Sequence, residues 1–271
     1  MAKLAIWTAV LLSFGFCIGL PPLQWMKKSS PFPLDMAPNS VDDMYNGCEV
    51  QMNKILTPLL NREKNGEFKE AWLEAEQYYN TKWANTNILK KEEIMALHAY
   101  TLENPPLYAE FNKAVRTQNH QYKTKQFKFY ALHFLLTMAL RSLKSKAKKC
   151  ITTYRRTKSK FETDVNKEIR FGAFTSSSVG RYPSITFGDQ SCFEISTCFG
   201  AEISKFSRFE SEKEVLIPPY EVFKITDVKK RSLKNLLPCE VVYKLKSTKN
   251  PRSNLNCAFP RMSAGIFHSK K

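Results

Sequence analysis

Three glutamates alternate with other residues just before an apolar, strand-like run. In the segment "ESEKEVLIPP", Glu210, Glu212 and Glu214 are each separated by one residue. Side chains alternate between the two faces of an extended chain, so Glu212 and Glu214 are expected to share a face; Glu210 joins them only if the loop stays extended. Of two neighbouring carboxylates, one can stabilise a developing positive charge, and the other can act as a general base that takes a proton from the attacking group. Their mutual repulsion is expected to raise the pKa of one of them.

Two other segments carry side chains that suit such chemistry. In "TYRRT", Arg155 offers a guanidinium that can bind phosphate oxygens in pairs. In "FTSSSV", Ser176 and Ser178 are expected to share one face of a strand. Taken singly, each segment has an ordinary structural explanation: a solvated arginine, a serine turn, or a charged strand edge. The indication of a site lies in their combination.

The order of these residues resembles the R-S-E class of mono-ADP-ribosyltransferases. Arg155 comes first, Ser176 follows an aromatic residue, and Glu212 and Glu214 precede "VLIPP". Vertebrate arginine-specific ecto-enzymes of this class commonly read E-x-E-V-L-I-P-P at the corresponding strand, and "EKEVLIPP" matches that pattern. The segments "DDMYNGC" and "HAYT" resemble the helical part of the family, so the likeness runs over residues 42–257.

The resemblance implies a reaction and a role for each residue. NAD is the implied co-substrate, and ADP-ribose moves to arginine side chains of target proteins with release of nicotinamide. Glu214 is expected to stabilise an oxocarbenium-like transition state at the ribose, as carboxylates do in glycoside hydrolysis. Glu212 is expected to orient and deprotonate the acceptor guanidinium. Ser176 should position Glu214 or the ribose, and Arg155 should bind the NAD phosphates.

Three further residues occupy family positions near the dinucleotide. Tyr100 and Ser207 resemble such positions. Arg156 stands where the family commonly has glycine, and the backbone there is expected to contact the nicotinamide amide. A side chain fits at this position if φ is negative and the group points away from the dinucleotide.

Two alternatives stay open beside arginine transfer. Water could be the acceptor, which would make the chain an NAD glycohydrolase; Glu212 argues against this, because a single catalytic glutamate would suffice for hydrolysis. The chain could instead be a secreted cationic binding protein with weak or lost activity. Its net charge of +17 and Arg156 favour that interpretation, and the intact set of arginine, serine and glutamates opposes it. The same charge would attract NAD, an anion.

The elements that must position these residues change character near Cys150. Residues 42–146 have helical periodicity, and the acidic start "VDD" is expected to open the first helix. Residues 150–246 consist of short β-branched and aromatic runs between turns. This order predicts an α+β fold in which an N-terminal helical part packs on a mixed β-sandwich core. Neither a G-x-G-x-x-G motif nor a P-loop is present.

The ends of the chain predict secretion. Residues 1–19 have one lysine followed by an apolar run and small residues, which is typical of a signal peptide. Residues 20–271 are then expected to form a single ADP-ribosyltransferase domain. The sequence "NCAFPRMSAGIFHSKK" carries no hydrophobic tail for a lipid anchor. We therefore expect an extracellular monomer without a stable membrane anchor and without a specific nucleic-acid partner.

Seven cysteines are present, and Cys17 falls in the expected signal peptide. The remaining six favour disulfides in an oxidising compartment. No C-x-x-C pair occurs and the histidines are scattered, so no metal site is expected. The residues alone do not choose a connectivity, but the resemblance implies the pairs Cys48–Cys257 and Cys150–Cys198. Cys192 and Cys239 are left over, either bridged or free.

Overall fold

The computed structural model of the chain describes residues 31–147 and 149–259. The expected signal peptide at residues 1–19 and the C-terminal tail from residue 260 lie outside the described residues. Six α-helices lie in the first half of the described chain: α1 Glu49–Lys64, α2 Lys69–Lys82, α3 Lys91–Tyr100, α4 Leu107–Thr117, α5 Asn119–Lys123 and α6 Tyr130–Lys146.

The strands lie almost entirely in the second half. They are β1 Phe32–Pro33, β2 Ile151–Thr157, β3 Phe161–Glu162, β4 Glu168–Ile169, β5 Thr175–Val179, β6 Ser191–Thr197, β7 Ala201–Glu202, β8 Glu214–Ile217, β9 Phe223–Lys230 and β10 Val241–Ser247. Eight form one sheet in the order β4-β9-β10-β6-β2-β5-β8-β7, and β1 pairs with β3. Within the larger sheet β6 and β10 run parallel, and the other pairs are antiparallel.

The eight-stranded sheet encloses an apolar core between its two halves. Val215 and Ile217 of β8 belong to the same buried cluster as Ile225 of β9 and Leu245 of β10. Five strand spacings separate β8 from β9, about 24 Å in a flat sheet. The sheet must therefore bend so that its halves face each other, as the predicted sandwich requires. Leu216, which points the other way, packs in the cluster formed with the helices. The predicted α+β fold is confirmed.

The first helix begins later than the sequence suggests. Asp42 and Asp43 do not start α1 but are fully buried ahead of it. Asp42 accepts hydrogen bonds from Arg170 at 2.5 Å and from the backbone N–H of Asn254 and Leu255. These acidic residues therefore tie the two ends of the described chain together, and the expectation that they open a helix is wrong.

Three disulfides join described residues. Cys48 is bonded to Cys257 and Cys150 to Cys198, the two pairs that the family resemblance implies. Cys192 is bonded to Cys239, which joins the start of β6 to the segment before β10. Closing long loops in this way stabilises the fold mainly by restricting the unfolded chain.

Candidate active site

Arg155 lies on the central strand β2 and lines a cleft of about 500 Å³. Its Nη1 donates to the carbonyl oxygen of Ser176 at 2.7 Å. Burial lowers the pKa of Arg155. Tyr100 and Glu214 oppose this fall, whereas the Arg116 guanidinium, which lines the same cleft, adds to it. No described carboxylate forms an ion pair with Arg155. Two guanidinium groups that form no ion pair with a described carboxylate make this cleft suited to an anion.

Glu214 is the first residue of β8 and is 7% exposed. The antiparallel pairing of β5 with β8 sets Ser178 opposite Glu214 and Ser176 opposite Leu216. The hydroxyl of Ser207 donates to Glu214 Oε2 at 3.4 Å, and the Ser176 side chain also hydrogen-bonds this carboxylate. Burial raises the pKa of Glu214, and repulsion from Glu212 adds to the rise. Hydrogen bonds from the two serines and the charge of Arg155 oppose it.

The segment before Glu214 is a turn, which corrects the strand interpretation. Glu210–Glu212 forms one turn of 3₁₀-helix, and Lys213 follows in the left-handed conformation with φ 48°. Glu212 and Glu214 therefore come together through a turn and not through alternation along a strand. Glu212 is exposed. The part of the side chain that is shielded from water nevertheless raises its pKa, and the charge of Glu103 adds to the rise. Glu210 points elsewhere and forms an ion pair with Lys82 of α2.

Tyr100, at the end of α3, joins the helical layer to these residues. Its hydroxyl donates to the carbonyl oxygen of Phe174 and accepts from Asn112 Nδ2 at 2.9 Å. Burial raises the pKa of Tyr100 to about 12, and charges on Glu214 and Arg155 act on the same hydroxyl. The phenol stays protonated near neutral pH and lies within the electrostatic reach of both charged groups.

Arg156 points to the face of β2 opposite Arg155, because neighbouring side chains on a strand alternate. Its guanidinium lies over the ring of Tyr182, 5.7 Å from the centroid, and its Nη1 donates to the carbonyl oxygen of Gly188 at 3.5 Å. Arg156 is not among the residues with positive φ. The two conditions for a side chain at the family's glycine position, a negative φ and a direction away from the cleft, are therefore met.

Three residues near the site were not found from the sequence. Arg116 and Asn112 lie on α4, which falls within the range predicted to be helical but was not delimited as a separate helix. Its buried residues Leu107, Phe111 and Val115 follow a helical spacing that could have revealed it. Asn112 Oδ1 is buried without a hydrogen-bond partner among the described atoms. Glu103 lies in the loop after α3, and no sequence motif marks it. Its effect on the pKa of Glu212 depends on tertiary structure.

The described ranges contain no cluster of side chains that could hold a metal ion. Within them there is likewise no helix long and apolar enough to span a membrane.

Comparison with known proteins identifies the family. The family model for NAD:arginine ADP-ribosyltransferases matches residues 34–244. The chain belongs to this family. It is 39% identical over 202 residues to NAD(P)(+)--arginine ADP-ribosyltransferase 2 of Gallus gallus, with 72% of this chain and 64% of the relative covered. It is 33% identical over 250 residues to Ecto-ADP-ribosyltransferase 5 of Homo sapiens, with 87% and 84% covered. The chain thus spans slightly less than two thirds of the Gallus gallus protein.

The fold agrees with a solved member of the group. The crystal structure of the eucaryotic mono-ADP-ribosyltransferase ART2.2 superposes with a TM-score of 0.70 at 34% identity. The match covers 84% of this chain and 99% of that structure. A variant of ART2.2 solved in complex with NAD superposes with a TM-score of 0.68 at 33% identity.

Proposed function

We propose that this chain transfers ADP-ribose from NAD to arginine side chains of proteins and releases nicotinamide. One observation carries the proposal. A buried carboxylate, Glu214, is held by Ser176 and Ser207, and a second carboxylate, Glu212, lies exposed on the adjoining turn. The pair offers one group shielded from water and one open to a macromolecular acceptor.

Arg155 and Arg116 bind the phosphates of NAD. Their guanidinium groups line one cleft, and the charge of Arg116 lowers the pKa of Arg155, a repulsion that a bound pyrophosphate would relieve. Tyr100 links the helices to the sheet beside these groups, because its hydroxyl hydrogen-bonds both Asn112 of α4 and the carbonyl oxygen of Phe174 just before β5. The unpartnered Oδ1 of Asn112 supports a hydrogen-bond donor from the dinucleotide at this point.

Glu214 stabilises the positive charge that develops on the ribose when the nicotinamide bond breaks. This role requires the ionised carboxylate. Ser176, Ser207 and Arg155 all favour the ionised form and oppose the rise in pKa that burial causes. Ser176 also connects Glu214 to Arg155, because its carbonyl accepts from the guanidinium while its hydroxyl meets the carboxylate.

Glu212 orients the acceptor guanidinium and takes its proton. A raised pKa suits this work, because a stronger base removes a proton more readily. Its exposure supports an acceptor presented by another protein. Glu103 adds negative charge beside it, which would attract a cationic arginine.

We place this activity outside the cell, in one catalytic domain that follows the signal peptide. Three disulfides support an oxidising compartment. Some relatives are named ecto-enzymes, and one from Mus musculus is named as GPI-linked. Helices and sheet strands share one buried apolar cluster, which supports a single domain.

The test is transfer from labelled NAD to agmatine, a soluble guanidino acceptor. The proposal predicts ADP-ribosyl-agmatine in excess of free ADP-ribose, and loss of both products in Glu214→Gln. Release of nicotinamide with free ADP-ribose alone would establish an NAD glycohydrolase instead. If the folded protein forms neither product when it is incubated with NAD, the alternative of a cationic binding protein without activity would be supported.

A further inference from the structure

The connection between β9 and β10 holds two leucines in water. We call residues 229–236 the leucine turn. Ser232 and Asn235 bond to each other through both backbone N–H groups at 3.1 Å, which closes a tight turn. Leu233 within it is fully exposed (101%), and Leu236 beside it is 87% exposed. They are the two most exposed large apolar side chains of the described chain. Placing two large apolar groups in one exposed turn leaves them in water at a free-energy cost.

The same turn is rich in cations. Lys229 lies 3.6 Å from Asp227, and Arg231 lies 2.9 Å from Glu240, so these two charges have acidic partners. Lys230 and Lys234 form no ion pair with any residue in the described ranges and are exposed. The leucines are thus accompanied by two uncompensated positive charges.

Hydrogen bonds from Arg231 to the chain that returns towards β10 hold the turn in a fixed shape. Arg231 N–H donates to the carbonyl oxygen of Glu240 at 2.8 Å, and Arg231 Nε donates to that of Leu237 at 3.1 Å. Less conformational entropy is therefore lost when the leucines meet a partner. Two exposed leucines beside unpaired lysines suit a soft, deformable anionic surface more than a rigid partner that would need matching pockets.

We propose that the leucine turn docks the protein on the surface of an anionic lipid bilayer. Leu233 and Leu236 enter the boundary between headgroups and acyl chains, and Lys230 and Lys234 lie among the anionic headgroups. Apolar burial combined with attraction to anionic lipid is the usual basis of such peripheral binding. The contact is reversible, because two leucines bury far less apolar surface than a membrane-spanning helix.

This inference is independent of the proposed enzymatic function. No residue of the leucine turn lines the cleft of Arg155 or hydrogen-bonds Glu214. Changes in the turn are therefore expected to leave transfer to a soluble acceptor unchanged.

The test is co-sedimentation of the purified protein with vesicles of phosphatidylcholine, with and without phosphatidylserine. The double variant Leu233→Ser with Leu236→Ser should bind phosphatidylserine vesicles on the order of tenfold more weakly than the wild type. The control removes two other exposed apolar side chains, Val50→Ser with Val165→Ser, and should bind like the wild type. Near-ultraviolet circular dichroism of each variant reports folding independently of enzymatic activity.

A second pair of variants separates local charge from the large net charge of the chain. Lys230→Glu with Lys234→Glu and the control Lys54→Glu with Lys69→Glu change the net charge equally. The proposal predicts severalfold weaker binding for the first pair than for the second. It also predicts that the leucine-dependent part of binding persists at high salt, where surface charges are screened.

Four results would overturn the proposal. The wild type could fail to bind phosphatidylserine vesicles. The leucine variant could bind as well as the wild type. The two lysine pairs could bind equally, which would assign all attraction to net charge. Capture of another protein by the leucine turn without vesicle binding would likewise reject the membrane in favour of a protein partner.

Discussion

The arginine at the family's glycine position offers a quantitative test of the site geometry. Arg156→Gly removes the guanidinium from the Tyr182 ring and the bond to Gly188. A cation–π contact contributes ~0.5–1 kcal/mol, and glycine inside a strand costs a further ~0.5–1 kcal/mol. The buried Arg156 Nε has no hydrogen-bond partner among the described atoms, and removing it offsets part of that loss. The net destabilisation is about 1 kcal/mol, a fall in Tm of roughly 2–4 °C for a domain of this size.

The catalytic consequence should be small, because Arg156 points to the face opposite Arg155. The KM for NAD of Arg156→Gly should stay within about twofold of the wild type, because the side chain makes no contact in the cleft. Losing 1.4 kcal/mol of binding free energy would instead change the affinity about tenfold. Arg156→Lys is the matched control; it keeps a cation and a side chain and should lose less stability than glycine does. Thermal unfolding and steady-state nicotinamide release give both quantities. A severalfold lower KM in Arg156→Gly would show that the side chain obstructs NAD, which would refute its assignment to the face of β2 away from the cleft.

Two pH-dependent effects follow from buried carboxylates. Ser207→Ala removes a hydrogen bond that favours ionised Glu214; the pKa of Glu214 should rise, and the acid limb of kcat/KM for NAD should move to higher pH by up to about one unit. Ser204→Ala, which loses a bond to Glu202, is the control and should not move that limb. Glu63 accepts from the N–H groups of Ala131 and Leu132, and burial raises its pKa from 4.5 to about 8. The folded chain then holds an extra proton between these pH values, so the free energy of unfolding should fall as pH rises through this window. Glu63→Gln should flatten this dependence of the unfolding free energy on pH, measured by urea unfolding. An unchanged slope would contradict the raised pKa of Glu63.

Local patterns were enough to predict the fold class and to propose central residues for the candidate site. The change from helical to strand periodicity near Cys150 corresponds to the observed division between helices and sheet. The structure brings Arg155, Ser176 and Glu214 together as the order of the motifs suggested, through the pairing of β5 with β8 and the bond from Arg155 to Ser176.

Other features depend on contacts that no local pattern reveals. The turn at Glu210–Glu212 requires a lysine in the left-handed conformation, whereas the alternating glutamates look like a strand. Asp42 resembles a helix start but is buried against Arg170, which lies 128 residues away in the chain. Arg116 reaches the cleft from a helix whose end is followed directly by α5, and its nearness to Arg155 is a tertiary fact.

The division of labour between the glutamates is the central claim, and one measurement tests it most directly. Nicotinamide release and ADP-ribosyl-agmatine formation are measured together for Glu214→Gln, Glu212→Gln and Glu210→Gln. Glu214→Gln should depress both products by on the order of 10²- to 10³-fold, because it removes charge stabilisation from bond cleavage. Glu212→Gln should abolish transfer while sparing much of the reaction with water. Glu210→Gln should change little, because Glu210 is engaged with Lys82 on the surface. Equal loss of both products in Glu212→Gln and Glu214→Gln would contradict the separate roles, and the largest loss in Glu210→Gln would show that the catalytic pair lies two residues earlier.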